Sequence, residues 1–165
     1  MDRRVRIIAL LVAILAIAVD QATKWWAFTV LQQMGGHLGL PGPVDLTVNF
    51  NVSNAFGLTP VVGHATRWFL MAANLSVAAL LLYVIVAKEV RPLTRFGLAL
   101  IMAGAVGNAL DRLLVGRVVD FLDASKIGFV WIFNLADATI DGGIGLLLLS
   151  ALFSGRQAAD QAPRA

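Results

Sequence analysis

Two aspartates lie within strongly apolar sequence, and their residue type makes them the first candidates for chemistry. Asp120 follows Val118-Val119, and Asp137 follows Asn134-Leu135-Ala136. A carboxylate inside a membrane segment costs about 2.5 to 3.5 kcal/mol on insertion scales, so such a residue generally serves a function. Both aspartates are expected near the same membrane surface, where they could form an acid–base pair.

Such a pair would carry out a definite kind of catalysis. Two carboxylates about 4 Å apart repel each other by about 4 kcal/mol at an effective dielectric constant near 20, so one stays protonated while the other is ionised. The ionised carboxylate can take a proton from water, and the protonated one can polarise a carbonyl. This is the chemistry of aspartic proteases, and it requires no metal, serine or cysteine. The shared membrane level is the reason to expect that Asp120 and Asp137 meet.

The third apolar segment carries a polar face. Asn108, Asp111 and Arg112 stand at i, i+3 and i+4, so they share one side of a helix. Gly104 and Gly107 would let a neighbouring helix approach closely. Asp111 and Arg112 are interpreted as a structural pair, although the guanidinium of Arg112 could also hold a carbonyl or a phosphate-like group.

Polar residues also recur on the first and fourth segments. Asn134, Asp137 and Asp141 stand at i, i+3 and i+7, and Asn134 could cap the helix or bind a ligand. Asp141 has no explanation at this stage. Asp20 and Lys24 form an i, i+4 pair in the favourable order, which either anchors the first helix at the interface or contributes to a substrate site.

The composition indicates an integral membrane protein of one domain. Hydrophobic residues make up 59% of the 165 residues, and the mean hydropathy is +0.80. The net charge of +3 comes from basic residues at helix ends, as membrane topology requires, so no nucleic acid partner is expected. The absence of cysteine excludes disulfides, thiolate metal sites and a cysteine nucleophile. His37 and His64 lack the spacing of metal ligands, and neither a metal nor another cofactor is expected.

Four segments are long and apolar enough to cross a bilayer, which requires about 20 residues each. They run over about 5–28, 68–87, 96–115 and 130–153. The first could be mistaken for a cleaved signal peptide. Its apolar run continues into an aromatic belt that begins at Trp25, which favours a membrane helix.

The charges between these segments predict the orientation. One side carries eight of the 13 basic residues, and the positive-inside rule places that side in the cytoplasm. Both termini are then cytoplasmic, and both aspartates face the outer side. The eight residues are Arg3, Arg4, Arg6, Lys88, Arg91, Arg95, Arg156 and Arg164.

The outer loops, about 31–66 and 116–129, contain two strand-like pieces. Residues 44–51 alternate between apolar and polar, which is typical of a half-buried strand, and residues 117–122 resemble a second one. The predicted fold is an all-α membrane protein with four transmembrane helices and a small extracytoplasmic β-sheet resting on the membrane surface.

Three alternative functions follow from the same residues. A small proton-coupled transporter or channel subunit would have charged residues through the whole depth of the membrane. Here these charged residues, except Asp141, cluster at one membrane surface. A membrane scaffold would not require paired acids. A serine–lysine peptidase is disfavoured because Ser125 and Lys126 are adjacent and would not face each other.

Taken together, five motifs resemble the lipoprotein signal peptidase family, also called signal peptidase II, along nearly the whole chain. Any one motif alone would be weak, but five in order on a four-helix chain of this size are specific. They are Asp20-Gln21-Ala22-Thr23-Lys24, Asn51-Val52-Ser53-Asn54-Ala55-Phe56-Gly57, Gly104-Ala105-Val106-Gly107-Asn108-Ala109-Leu110-Asp111-Arg112, Val118-Val119-Asp120-Phe121 and Phe133-Asn134-Leu135-Ala136-Asp137.

The family consists of aspartyl peptidases of the bacterial inner membrane that cleave prolipoproteins just before the lipid-modified cysteine. The resemblance implies that Asp120 and Asp137 are the catalytic dyad, supported by residues near the site, and that the outer sheet is a β-cradle for the substrate. The implied supporting residues are Asp20, Lys24 and Asp111. The residues implied to line the site and hold the substrate backbone are Asn51, Asn108, Arg112 and Asn134.

The implied partners are lipid-modified prolipoproteins and membrane lipids. The protein is expected to be a monomer that spans the inner membrane several times, with its active site near the periplasmic surface. The chain departs from the family at Ser53, where glycine is usual, which puts the local loop geometry in question. Asp141 matches no family position that can be assigned.

Overall fold

Four helices dominate the structure, a computed structural model that describes residues 3–52 and 64–160. All four are long and apolar enough to cross a membrane. Helix α1 continues into a π-helical turn at Ala27–Leu31. The helices are α1 (Arg3–Trp26), α2 (His64–Ala87), α3 (Pro92–Leu114) and α4 (Leu135–Asp160).

Helix α3 is the central helix, in contact with α1, α2 and α4. Within its most apolar stretch 56% of residues are buried, compared with 17%, 11% and 17% for α1, α2 and α4. The three outer helices therefore present most of their apolar side chains to lipid, and α3 presents its polar face to the other elements. This arrangement places Asn108 and Arg112 inside the molecule.

Glycines bring α3 and α4 into close contact. A Cβ on Gly104 would lie 2.3 Å from the carbonyl oxygen of Ala136, and a Cβ on Gly143 would lie 2.6 Å from the carbonyl oxygen of Gly97. A Cβ on Gly107 would lie 2.5 Å from a carboxylate oxygen of Asp20. The prediction that Gly104 and Gly107 allow close approach is confirmed, with the start of α4 nearest to Gly104 and Asp20 of α1 nearest to Gly107.

An antiparallel sheet of four strands lies at the end of the bundle where α4 begins. Its order follows the sequence: β1 (His37–Leu38), β2 (Asp45–Asn51), β3 (Val118–Asp123) and β4 (Ile132–Phe133). The predicted strands over 44–51 and 117–122 are thus confirmed as β2 and β3. The inner face of the sheet packs on the end of α1, with Val119 and Phe121 against Ala27 and Leu31.

A β-bulge sets the register between the two long strands. Leu46 pairs with Leu122, and Asn49 pairs with Asp120, so β2 has one more residue than β3 between these two pairs. The extra residue shifts the rest of β2 along its partner. As a result the end of β2, including Asn51, lies beside Asp120.

The observed helices differ from the predicted segments at several ends. The largest differences are at α4, which ends at Asp160 rather than Phe153 and begins at Leu135 rather than Val130, because Ile132 and Phe133 pair with β3. Helices α2 and α3 begin four residues earlier than predicted, at His64 and Pro92. The second outer segment therefore extends past 129 to the start of α4.

Candidate active site

Asp120 lies on β3, in the interior of the sheet, with only 1% of its surface exposed. The amide of Asn134 donates a hydrogen bond of 2.6 Å to Asp120 Oδ1, and Asn51 contributes another. The strand is buried on both faces over Val118–Phe121, so the carboxyl group is held away from bulk water.

Asp137 lies in the first turn of α4, where it forms a reciprocal cap with Asn134. The backbone N–H of Asp137 donates to Asn134 Oδ1 at 3.0 Å, and the backbone N–H of Asn134 donates to Asp137 Oδ2 at 3.3 Å. This is the geometry of a capping box, in which the residue before the helix and its third residue satisfy each other's free N–H groups. The prediction that Asn134 caps this helix is confirmed.

Two asparagine amides link the two aspartates. Asn134 Nδ2 reaches both Asp120 Oδ1 and, at 3.3 Å, Asn108 Oδ1. Asn108 Nδ2 in turn donates to Asp137 Oδ1 at 2.9 Å. Asp120 and Asp137 therefore belong to one hydrogen-bonded network, although they come from different elements.

The environment strongly perturbs Asp120. Burial, and next the negative charge of Asp137, raise the pKa of Asp120 from 3.8 to about 7, against the opposing effect of the hydrogen bonds from Asn134 and Asn51. Near neutral pH this carboxyl group is consequently protonated in a large fraction of molecules. Asp137 receives hydrogen bonds on both of its oxygens, from Asn108 and from the Asn134 backbone.

A buried cluster of ion pairs supports this network through a hydrogen bond to Asn108. The Lys24 ammonium lies 3.0 Å from Asp20 Oδ2 and 3.1 Å from Asp111 Oδ2, and it donates to Asn108 Oδ1 at 2.9 Å. Lys24 is only 2% exposed. The predicted i, i+4 ion pair of Asp20 and Lys24 is therefore present, but it is buried in the bundle, where Lys24 contacts Asn108.

The same cluster ties α1 and β3 to the site. Asp20 Oδ1 accepts a hydrogen bond of 2.8 Å from the backbone N–H of Ala136, within the first turn of α4. A carboxylate is favourable there because the first N–H groups of a helix are free. Asp111 Oδ2 accepts from the backbone N–H of Val119 at 3.0 Å. The salt bridge of Asp111 is with Lys24, a partner that the sequence analysis did not anticipate.

Both aspartates line one cavity of about 1150 Å³, bounded by α2, α3, α4 and the sheet. Asn51, Asn108 and Arg112 also line it. Arg112 Nη1 donates to the backbone carbonyl of Asn108 at 3.1 Å. Asn134, which is completely buried, joins the site through its contacts with Asp120 and Asn108.

The predicted supporting residues do not line the cavity. Within the part of the chain that the structure describes, the cavity wall does not include Asp20, Lys24 or Asp111, which lie behind Asn108. Ser53, the departure from the family motif, lies outside the described residues. All the other predicted site residues are brought to the cavity or to its hydrogen bonds.

Sequence reasoning missed several residues at this site. Gln21 donates to Asp111 Oδ1 at 3.0 Å and to the carbonyl of Gly107 at 3.2 Å. Trp131 and Phe129 line the cavity and stack edge to face, with ring centres 5.3 Å apart. The Trp131 side chain is 60% exposed, and the predicted fourth helix, which begins near Val130, includes Trp131 and so hides its place in the cavity wall.

The comparison with known families identifies the group to which this arrangement belongs. The family model described as signal peptidase (SPase) II matches residues 12–153. The chain belongs to the signal peptidase II family. The resemblance seen in the five sequence motifs is thereby confirmed.

Relatives across bacteria support the family assignment. The lipoprotein signal peptidase of Caulobacter vibrioides is 40% identical over 149 residues, which cover 89% of this chain and 88% of the relative. The lipoprotein signal peptidase of Symbiobacterium thermophilum is 38% identical over 157 residues, which cover 91% of this chain and 97% of the relative. This signal peptidase II family member therefore aligns with its relatives along nearly their full length.

The fold is also that of a known membrane enzyme. A bacterial membrane enzyme solved by the in meso method at 2.3 Å resolution superposes with a TM-score of 0.74, at 24% identity, over 95% of this chain and 93% of that one. The predicted fold, four membrane helices with a small sheet, is thus confirmed. The protein is a multi-pass membrane protease of the signal peptidase II family.

Proposed function

We propose that this protein is an aspartic endopeptidase that removes the signal peptide from lipid-modified prolipoproteins by cleaving before the lipidated cysteine. The observation that carries the proposal is the pairing of Asp120 and Asp137 through Asn134 and Asn108 at the wall of one cavity. The lipoprotein signal peptidases to which the chain is similar supply the substrate class. The aspartic mechanism rests on the geometry and electrostatics of the two carboxyl groups.

The two carboxyl groups have different roles in the proposed reaction. Asp120, whose raised pKa of about 7 leaves it protonated in a large fraction of molecules near neutral pH, donates a hydrogen bond to the scissile carbonyl oxygen. Asp137 is ionised and takes a proton from a water molecule as the water oxygen bonds to the carbonyl carbon. The Asp120 proton passes to the carbonyl oxygen, which gives a neutral tetrahedral intermediate.

Collapse of the intermediate restores the two aspartates. The proton on Asp137 passes to the peptide nitrogen as the C–N bond breaks, and Asp120 takes back a proton from one of the hydroxyl groups. The products are the carboxyl end of the signal peptide and the free amino group of the lipidated cysteine. Asn51, Asn108 and Arg112 offer donors along the cavity wall for the substrate backbone.

The position of the site suits a substrate anchored by lipid. The dyad lies where the sheet meets the first turn of α4, and in the proposed reaction water reaches it through the cavity that both aspartates line. A substrate anchored in the same membrane would present its cleavage site at this level. We place the site at the periplasmic surface of the inner membrane, with both termini in the cytoplasm, and treat the protein as a monomer.

Family membership gives no support to a proton-coupled transporter. The distribution of polar residues also favours the peptidase. The network from Lys24 to Asp120 lies at one end of the bundle, whereas a proton path would extend through its depth.

The test is cleavage of a diacylglyceryl-modified prolipoprotein by purified wild type, Asp120→Asn and Asp137→Asn. Each variant should bind substrate but lose about 10²–10⁴-fold in kcat, because each removes one half of the acid–base pair. Asp123→Asn is the matched control, since Asp123 is on the same strand and hydrogen-bonds Thr47 instead of the site. Turnover near that of wild type in either dyad variant would refute the mechanism.

A further inference from the structure

The cavity extends beyond the two aspartates into the depth of the membrane helices. On α4, the lining residues Asp137, Ile140, Asp141 and Ile144 stand at i, i+3, i+4 and i+7, so they form one face. Because α4 begins at the sheet and rises about 1.5 Å per residue, Asp141 lies about 6 Å deeper than Asp137.

Helix α2 forms the opposite wall with Leu70 and Asn74. Its first turns lie at the sheet end of the bundle, because Arg67 donates to the backbone carbonyl of Leu113, at the end of α3. Asn74 is seven residues after Arg67 on α2, so it lies about 10 Å deeper in the bundle than Arg67. A groove between α2 and α4 therefore leads away from the dyad, with one polar residue on each wall.

Asp141 and Asn74 have no use in the proposed reaction. Among residues 3–52 and 64–160, no hydrogen bond or ion pair involves either side chain. Insertion of a carboxyl group at this depth costs about 2.5 to 3.5 kcal/mol, and the default explanation of such a group is a function with a specific partner. Since the described residues provide no partner, a bound molecule is the natural source of one.

The chemistry of the two side chains defines that partner. A carboxyl group has an acceptor oxygen whether it is protonated or ionised, and an amide both donates and accepts. The complementary group is a side chain that donates a hydrogen bond, such as a hydroxyl, an amide or an amine. An acyl chain has no polar atom to offer, so the lipid is a poor occupant of this part of the groove.

If the scissile bond lies at the dyad, the part of the substrate that continues into the membrane is the signal peptide. We infer that Asp141 and Asn74 form a polar subsite that selects signal peptides with a hydrogen-bond-donating side chain within about two helical turns of the cleaved bond. This inference rests on the proposed function. It assigns a substrate preference to two residues outside the motifs that carry the family resemblance.

The experiment uses a series of diacylglyceryl-modified prolipoproteins. Each of the eight residues before the cleaved bond is changed, one at a time, to leucine, serine or glutamine. The kcat/KM of each substrate is measured with wild type, Asp141→Leu, Asp141→Asn and Asn74→Leu. Leu149→Ala is the control variant, because Leu149 lies on α4 and is 46% exposed, but it stands about a third of a turn away from the groove face.

At one of the eight positions, the kcat/KM of wild type should be about tenfold higher for the serine or glutamine substrate than for the leucine substrate. The reason is that a site built for a hydrogen bond rejects an analogue that lacks it. Asp141→Leu and Asn74→Leu should lose this preference and still cleave the leucine substrate. Asp141→Asn, which keeps an acceptor oxygen, should retain most of this preference, and Leu149→Ala should retain all of it.

Three results would overturn the inference. Wild type could show no donor preference at any of the eight positions, or the preference could persist unchanged in Asp141→Leu. In both cases cleavage itself continues, so the proposed function stands while the subsite fails. If wild type cleaves none of the lipidated substrates, the proposed function fails and the subsite fails with it.

Discussion

The orientation of one amide connects the buried ion pairs to the dyad. Asn108 Oδ1 accepts from Lys24 at 2.9 Å and from Asn134 at 3.3 Å, which leaves Asn108 Nδ2 to donate to Asp137. A flipped amide would bring its oxygen against the Asp137 carboxylate and its NH₂ against the Lys24 ammonium. In the proposed mechanism Lys24 is thus a positioning residue that acts on Asp137 through Asn108.

The pKa of Asp120 predicts the pH dependence of cleavage. As the pH rises above its pKa of about 7, Asp120 loses the proton that it donates in the proposed reaction. The kcat/KM should therefore fall about tenfold between pH 6 and pH 8, in proportion to the protonated fraction. Steady-state cleavage of one lipidated substrate across this range would measure it, and a flat or rising profile would contradict the assignment of Asp120 as the acid.

Thermal unfolding provides an independent control for this titration. The folded-state pKa lies above the ordinary value of 3.8, so the folded protein binds this proton more tightly than the unfolded chain does. The contribution of Asp120 to stability is accordingly present below about pH 4 and is lost as the pH rises to about 7. The thermal midpoint of wild type should decline more across this window than that of Asp120→Asn.

Replacement of Lys24 should damage both stability and catalysis. In Lys24→Met two buried carboxylates, Asp20 and Asp111, lose their shared cation. Removal of one partner from a buried ion pair typically costs about 3 to 5 kcal/mol. The thermal midpoint should fall well below that of Lys88→Met, a control in which the changed lysine is exposed. Equal midpoints would show that the cluster does not support the fold.

At the scale of residues, the sequence predicts which side chains belong to the candidate site better than it predicts which of them contact each other. Apolar surroundings made Asp120 and Asp137 conspicuous, and helical spacing placed Asn108 and Arg112 on one face. The bridge from Asn134 to Asp120 joins residues 14 apart, and the contact of Lys24 with Asn108 joins residues 84 apart. No periodicity within one helix specifies such pairings, because they depend on how elements pack.

The contact between α3 and α4 sets the distance across the site. Asn108 is on α3 and Asp137 is on α4, so their hydrogen bond of 2.9 Å requires the close approach that the glycines allow. Gly104 faces the carbonyl of Ala136, one residue before Asp137. Any side chain at Gly104 must push the first turn of α4 away from α3.

Gly104→Ala should therefore separate the two helices and reduce cleavage. Its Cβ would lie 2.3 Å from a backbone oxygen that cannot move independently, and overpacking of this kind costs about 1 to 3 kcal/mol. Gly142→Ala is the matched control, because a Cβ there meets nothing within 4 Å and alanine favours a helix by up to about 1 kcal/mol.

The cleavage rate and the thermal midpoint of Gly104→Ala and Gly142→Ala test whether the packing of α3 on α4 controls the dyad. We expect Gly104→Ala to lose activity and stability, and Gly142→Ala to keep its activity with an equal or higher midpoint. If Gly104→Ala behaves like Gly142→Ala, the packing of α3 on α4 does not control the geometry of the dyad.

Elements could be predicted from sequence where their pattern was long enough. The alternation over 44–51 revealed β2, and the apolar runs revealed the helices. The short strands β1 and β4 have two residues each, too few to show alternation. Because β4 is apolar and immediately precedes α4, it was absorbed into the predicted helix, which is why the start of α4 was placed too early.

At the scale of the whole molecule, helix length and charge predict how the protein sits in the membrane. Helix α1 has 24 residues and is about 36 Å long, enough to cross a hydrocarbon layer of about 30 Å. Large apolar side chains on its surface, such as Leu15 at 64% exposure, suit contact with lipid. The sheet and the dyad then lie together at one membrane surface.

The chain has no cysteine of its own, so its orientation can be tested with single cysteines. Ser125→Cys places a thiol in the short turn Ser125–Ile127 after β3, at the sheet end. Lys88→Cys places one between α2 and α3, at the opposite end, where the basic residues concentrate. The positive-inside rule predicts that Ser125→Cys faces the periplasm and Lys88→Cys the cytoplasm.

A maleimide that cannot cross the inner membrane should therefore label Ser125→Cys in intact spheroplasts. It should label Lys88→Cys only after the membrane is opened. Both variants should retain cleavage, because Ser125 and Lys88 lie outside the cavity and its hydrogen bonds. The reverse labelling pattern would place the dyad in the cytoplasm, where a periplasmic cleavage site could not reach it, and would refute the proposed location of the reaction.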